Sequence, residues 1–182
     1  MIGLGLHGCQ AGRSRIPAMS PRPKQPVDPA DFRAACSKFA TGVAVATVSA
    51  QNGTPHGLTV SSFTSVSIDP PLILLCIDFQ YPFLSHFRLS THFAVNVLKD
   101  SQRELSVVFS EKPEGRFEGV EWFQGQTGAP LIRNCLATIE CRAASILELG
   151  DHAIFVGEVE HAQSDEGRPL VYFNRGYRLV GE

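Results

Sequence analysis

Between Thr59 and Ser67 the chain carries hydroxyl side chains at six of nine positions: Thr59, Ser61, Ser62, Thr64, Ser65 and Ser67. That pattern has two readings. It is either a half-exposed strand or a ligand-facing edge, where hydroxyls and backbone N–H groups meet a polar ring or a phosphate. Elsewhere the reactive residues are scattered. His152 stands alone after Gly150-Asp151, and Cys9, Cys36, Cys76, Cys135 and Cys141 form no CxxC pair. P-loop, HExxH and GxSxG patterns and paired Cys/His clusters are absent from the sequence, so phosphate, metal and acyl chemistry have no local signature. Gly3-Leu4-Gly5-Leu6-His7-Gly8 fits GxGxxG, but no strand pattern precedes it and no helical pattern follows. Leu6-His7-Gly8-Cys9 lacks the basic start and apolar stretch of a lipoprotein leader. Asn52-Gly53-Thr54 fits a glycosylation acceptor, yet Asn-Gly between apolar runs is better explained as a tight hairpin turn.

The elements that hold these residues must come from one domain, because 182 residues with 43% hydrophobic and 19% charged side chains suit a single apolar core. A net charge of −2 lacks the basic footprint of a nucleic-acid binder. The longest apolar run, Leu72 to Ile77, falls far short of the roughly 20 residues a spanning helix needs. Four of the five cysteines lie among apolar residues and read as buried free thiols in a reducing, cytoplasmic setting. Residues 1–27 stand apart. Arg13, Arg15, Arg22 and Lys24 meet no acidic residue there, Pro17, Pro21, Pro23 and Pro26 interrupt regular structure, and Met19 is a second candidate start. This stretch is expected to be a flexible arm ahead of a domain over 28–182.

Asp28-Pro29-Ala30-Asp31 predicts a helix start, with Phe32, Ala35, Cys36 and Phe39 as its buried face and Gly42 as its end. Strands are expected at 43–48, 58–63 and 64–68, then a fully buried one from Leu72 to Ile77 after Asp69-Pro70-Pro71. A short helix from Phe83 to Leu89, a strand at 93–98 and a helix from Ser101 to Phe109 capped by Asp100 follow. Two long strands, Ala137–Leu147 and Ala153–His161, flank Leu149-Gly150-Asp151, and short strands at 171–173 and 177–179 finish the chain. Many strands with few helices between them favour a closed antiparallel barrel with helical decorations.

Several stretches, in order, resemble the flavin reductase-like family: Phe39-Ala40-Thr41-Gly42-Val43, the run Gly57–Ser67, Asp69-Pro70-Pro71-Leu72, Phe93–Leu98 and Gly150–Val159. The resemblance extends from about Phe32 to Leu179. It implies a mainly β fold, the FMN-binding antiparallel split barrel of Greek-key type with a few peripheral helices. It also implies a homodimer that reduces FMN or FAD with NADH or NADPH, often as the reductase partner of a flavin-dependent monooxygenase. The same fold also holds FMN permanently in oxidases or other reductases, and serves as a non-catalytic flavin- or haem-binding module.

By position in that resemblance, Thr59, Val60, Ser61 and Ser62 would line the isoalloxazine edge, where donors stabilise charge developing on the ring. Cys76, Ile77 and Asp78 would run along the ribityl chain and phosphate. The chain departs from the family over Phe79-Gln80-Tyr81-Pro82-Phe83-Leu84, where hydroxyl residues are usual. That leaves the phosphate either to backbone N–H groups and Ser85 or to a weaker grip. Arg116 and Phe117 fall in the second phosphate-side loop, where the planar guanidinium suits a phosphate. His152 is placed to position nicotinamide rather than to act as an acid or base, and Tyr172 to border the pocket. Trp122 reads as packing.

Overall fold

The computed structural model describes residues 27–111 and 114–180. The Gly3–Gly8 motif, Cys9, Met19 and all of the arm except Val27 lie outside the described residues. In chain order the elements are α1 (Pro29–Cys36), β1 (Thr41–Gly42), β2 (Ala44–Ser49), β3 (Pro55–Val60), β4 (Thr64–Ile68), β5 (Pro71–Asp78), α2 (Leu84–Leu89) and β6 (His92–Val97). A 3-10 turn at Asp100–Gln102 leads into α3 (Arg103–Glu111). The strands β7 (Trp122–Gln124), β8 (Pro130–Ile132), β9 (Ala137–Leu149), β10 (His152–Ser164), β11 (Val171–Phe173) and β12 (Gly176–Arg178) follow.

The main sheet is antiparallel, in the order β3-β2-β6-β9-β10-β5-β4. Its ends are β3 and β4, which are not hydrogen-bonded to each other, so the ladder is split where the sequence suggested closure. Residues from both halves nevertheless share one interior. Ala46 and Val48 of β2, Val60 of β3, Leu75 and Ile77 of β5, Val95 of β6 and Phe155 of β10 pack together. Each large apolar side chain removed from water there contributes about 1.5–3 kcal/mol. β2 and β3 meet through the Asn52-Gly53 turn, with Gly53 at φ +83° as such a turn requires. β9 and β10 form the expected long hairpin around Gly150.

A second cluster lies on the opposite face of β2, where Val43, Val45, Leu98, Phe109, Ile132 and Leu170 pack together with α3. β3 approaches α3 closely at Gly57, where a Cβ would stand 2.8 Å from the Phe109 ring. Asn96, buried in β6, donates to the Val45 carbonyl and the Thr47 hydroxyl and accepts from the Ile132 N–H at 2.8 Å, tying the β7–β8 ribbon to the sheet.

Four expectations are corrected. α1 starts as predicted, with the Asp28 carboxylate accepting from the Ala30 N–H, but it ends at Cys36 and buries nothing in the single chain. Phe32 is 63% and Phe39 76% exposed, because the strands have already filled the interior. Cys36 is exposed and Cys76 half-buried, so only Cys135 and Cys141 of the described thiols are buried; all four are free. β5 alternates, with Ile73, Leu75 and Ile77 inward and Leu72, Leu74 and Cys76 half-exposed, because a sheet with one inner face buries every second residue. Asp100 does not cap α3; it sits in the 3-10 turn, paired to Arg168 at 2.9 Å.

Candidate active site

β3 ends at Val60 and β4 begins at Thr64, leaving Ser61, Ser62 and Phe63 between strands at the split. A cleft of about 490 Å³ opens there, walled by Phe39–Ala44 on one side, Ser61–Thr64 on the other, and Val97. Ser61 is exposed. The Ser62 hydroxyl is committed: it accepts from the Cys76 N–H at 2.9 Å and donates to the Cys76 carbonyl at 3.1 Å, stitching the split to β5. The Thr59 hydroxyl donates to the Ser106 carbonyl of α3 at 2.7 Å, and Val60 and Ile77 are core residues. The structure therefore places Ser61 and Ser62 on this cleft, and turns the side chains of Thr59, Val60 and Ile77 away from it. Burial raises the Cys76 thiol above its usual range, partly offset by Ser62.

His152 opens β10 directly opposite Asp78 of β5, two residues, or about 7 Å, along the ladder from Ile154 and its partner Cys76. Its Nδ1 lies 2.6 Å from the Asp151 carboxylate, and that hydrogen bond holds the carboxyl below its ordinary pKa. Asp78 is exposed and accepts from the Gln80 N–H at 2.8 Å, fixing the turn that follows. Tyr172 is the strand partner of Thr41 in the cleft wall without itself lining the cleft, and it packs edge-on to Tyr177 at 5.5 Å. Tyr177 in turn meets the Ser106 hydroxyl at 2.8 Å, a link the sequence did not flag.

A second cleft, about 470 Å³, lies at the other end of β3 between Thr54–Gly57 and Glu114–Glu118. Arg116 is 9% exposed there. Its Nη1 donates to the Gly57 carbonyl at 2.7 Å, and its guanidinium lies 5.3 Å from the Tyr81 ring centre. Tyr81 donates to the same carbonyl at 2.9 Å, and burial pushes its phenol up to about 12 despite the nearby cation. Tyr81, from the loop that departs from the family pattern, is a site residue the sequence reading missed. Its signal was the departure itself: an aromatic residue where small hydroxyls are usual. Phe117 lines this cleft while packing edge-on against Phe109 and Trp122, which confirms Trp122 as packing. Ser85 is exposed on α2, on an adjoining groove that shares Thr54 and His56 with this cleft. No cluster of three or more metal-binding side chains occurs among the described residues.

The fold is thus an antiparallel split barrel with one cleft at the split and a second, holding the buried Arg116, at the other end of β3. Residues 36–181 match the Flavin reductase like domain, and the chain belongs to that family. It is similar to the stachydrine N-demethylase reductase subunit Stc3 of Rhizobium meliloti strain 1021, 38% identical over 82% of this chain and 65% of that protein. It is 37% identical to the reductase component of a 4-nitrophenol 4-monooxygenase/4-nitrocatechol 2-monooxygenase of Rhodococcus opacus, over 82% of this chain and 80% of that one. Among solved structures, the NADH:FAD oxidoreductase SgcE6 of Streptomyces globisporus C-1027, in complex with NAD and FAD fragments, superposes with a TM-score of 0.80. That protein is 34% identical, with 86% of this chain and 97% of that one covered. The chain spans about half to two thirds of the length of the first curated relatives it matches.

Proposed function

We propose that the chain is an NAD(P)H-dependent flavin reductase that reduces FMN or FAD by hydride transfer and supplies reduced flavin to a partner monooxygenase. The observation that carries this reading is the cleft at the split, whose wall of Ser61–Thr64 belongs to neither β3 nor the interior of β4. Its lining fits a flavin: Phe39, Val43, Phe63 and Val97 offer apolar surface to a flat ring, while Ser61 and the inter-strand backbone offer polar groups to its edge.

When bound, the flavin supplies the ring that accepts a hydride from reduced nicotinamide. The chain's own task is then to bind, orient and polarise. Ser61 and the backbone of 61–63 hold the polar ring edge, with Thr59, Val60 and Ser62 supporting that backbone from behind. Cys76, through its backbone bonds to the Ser62 hydroxyl, fixes the 61–63 segment from β5, with Ile77 and Asp78 following it along that strand. Arg116, braced by Tyr81 and Gly57, presents its planar fork to the phosphate, with Phe117 packing behind it. Ser85 faces the adjoining groove and takes a secondary part. His152, oriented by Asp151, positions nicotinamide, and Tyr172 supports the cleft wall as the strand partner of Thr41.

We also read the chain as a cytoplasmic homodimer. Among the described residues no helix is long and apolar enough to cross a membrane. Leu74 and Cys76 of β5 and Ile154 and Val156 of β10 are half-buried on the outer sheet face, beside Val66 at 51% and Ile68 at 92% exposure. A second copy would cover this face, and light scattering at twice the chain mass is the expected result. The functional test is NADH and NADPH oxidation by the protein with and without added FMN or FAD. Turnover that requires added flavin is expected. A yellow colour that survives gel filtration, with no turnover of free flavin, would replace this reading with that of a resident-FMN protein.

A further inference from the structure

The cleft beside Arg116 has more surface than a phosphate needs. His56 lies against Phe83 at 4.5 Å and against His86 at 4.3 Å between ring centres, and all three rings lie within 32° of parallel. His56 and Phe83 line the cleft together with Tyr81, and Glu114 and Glu118 stand exposed at its rim. Burial, and then His86, lower the pKa of His56, which disfavours charge on that ring. Stacked rings, a buried guanidinium and carboxylate acceptors at the rim offer partners to an aromatic base, a phosphate and ribose hydroxyls respectively.

Resting on the reading of the chain as a flavin reductase, we propose that this cleft takes the adenosine monophosphate half of a dinucleotide. The adenine lies on the His56–Phe83 face and the ribose hydroxyls turn toward Glu114 and Glu118. Gly57, which carries Arg116, is four residues from Ser61, about 13 Å at roughly 3.3 Å per residue. A molecule with its ring at Ser61 and its first phosphate at Arg116 therefore directs whatever follows that phosphate into the aromatic cleft. FMN has nothing further to place there; FAD has an adenosine. The adenosine half of NADH has the same chemistry. A 2′-phosphate, as in NADPH, would meet two carboxylates of like charge.

The test is a pair of ratios, measured in the wild type, Phe83→Leu, Phe83→Tyr and the double variant Glu114→Lys/Glu118→Lys, with thermal melting to establish folding. The first ratio is FAD affinity over FMN affinity, from flavin fluorescence titration. The second is the KM of reduced nicotinamide mononucleotide over that of NADH, with FMN as acceptor. If FAD supplies the adenosine, the wild type favours FAD, and Phe83→Leu lowers the affinity ratio roughly 5- to 150-fold, the loss expected when one base no longer stacks on an aromatic ring. Phe83→Tyr keeps the preference. If NADH supplies it, the affinity ratio holds and the KM ratio collapses in Phe83→Leu instead. The double variant should narrow the preference for NADH over NADPH in that second case. If both ratios are unmoved in Phe83→Leu and in the double variant, the adenosine site is wrong. A wild type that binds neither FMN nor FAD would remove the flavin reductase reading as well, which separates the two failures.

Discussion

Two charged side chains are buried among the described residues, and their surroundings differ in kind. Glu140 is 4% exposed on β9 and its oxygens are taken up locally: the Thr127 hydroxyl donates at 2.6 Å, the Thr127 N–H at 2.8 Å and the Gln126 N–H at 3.2 Å. Burial pushes this carboxyl up, but these bonds and the nearby His161 outweigh it and hold it below the usual range. The carboxylate serves as the anchor of the β7–β8 loop. Arg116 is 9% exposed at the wall of a cleft of about 470 Å³, where its Nη1 donates to the Gly57 carbonyl and its guanidinium lies against the Tyr81 ring. A buried charge wrapped by backbone donors completes the fold. A buried charge held flat at a cleft wall is preorganised for a ligand, because its desolvation cost is met in folding rather than on binding.

The largest effect should come from the structural charge. Glu140→Ala leaves the Thr127 and Gln126 N–H groups without their acceptor and should cost about 3–5 kcal/mol in urea unfolding. Flavin affinity per folded molecule should hold. A loss of flavin affinity at full folding would mean that the two regions are not separable.

Arg116→Ala should act on the other side of the contrast and weaken FMN binding about 10- to 150-fold in a flavin titration, the loss of a charge-assisted hydrogen bond of about 1.5–3 kcal/mol. Arg116→Lys should recover only part of it, since a point charge lacks the planar fork. Unchanged FMN affinity in Arg116→Ala would place the phosphate elsewhere.

The contrast sharpens at the split. His152→Ala should raise the KM for NAD(P)H or slow hydride transfer about 5- to 150-fold in stopped-flow reduction while flavin affinity holds. Ser61→Leu should do the reverse, weakening flavin first by filling the cleft, with unfolding free energy within about 0.5 kcal/mol because the position is exposed. If His152→Ala instead loses flavin while nicotinamide kinetics at saturating flavin stay normal, His152 belongs to the flavin end.

The smallest effect is in pH. Because the Glu140 carboxyl is held below its unfolded value, the stability it contributes is present above the ordinary pKa of 4.5 and is lost as pH falls through the lower folded value. Glu140→Gln should flatten that acid limb in unfolding measured from pH 6 down to pH 3. An unaltered slope would assign the acid sensitivity to other carboxylates.

Features written in a few neighbouring residues were legible in the sequence alone. Asp28-Pro29 started a helix, Asn52-Gly53 made a hairpin turn, and Gly150 joined the two longest strands. Each depends on local backbone preference, as with Gly53 at positive φ. The ordered motifs from Phe39 to Val159 were enough to point to the family. Tertiary structure alone decided which polar groups remain available. Thr59 reaches Ser106, 47 residues away, Ser62 reaches Cys76, 14 away, and Arg116 reaches Gly57, 59 away. It also decided that Phe32 and Phe39, spaced like a buried helix face, stay uncovered in the single chain. Spacing along a chain encodes which residue types share a face, whereas a hydrogen-bond partner is chosen by strand register and by the route of distant loops, which no local window contains.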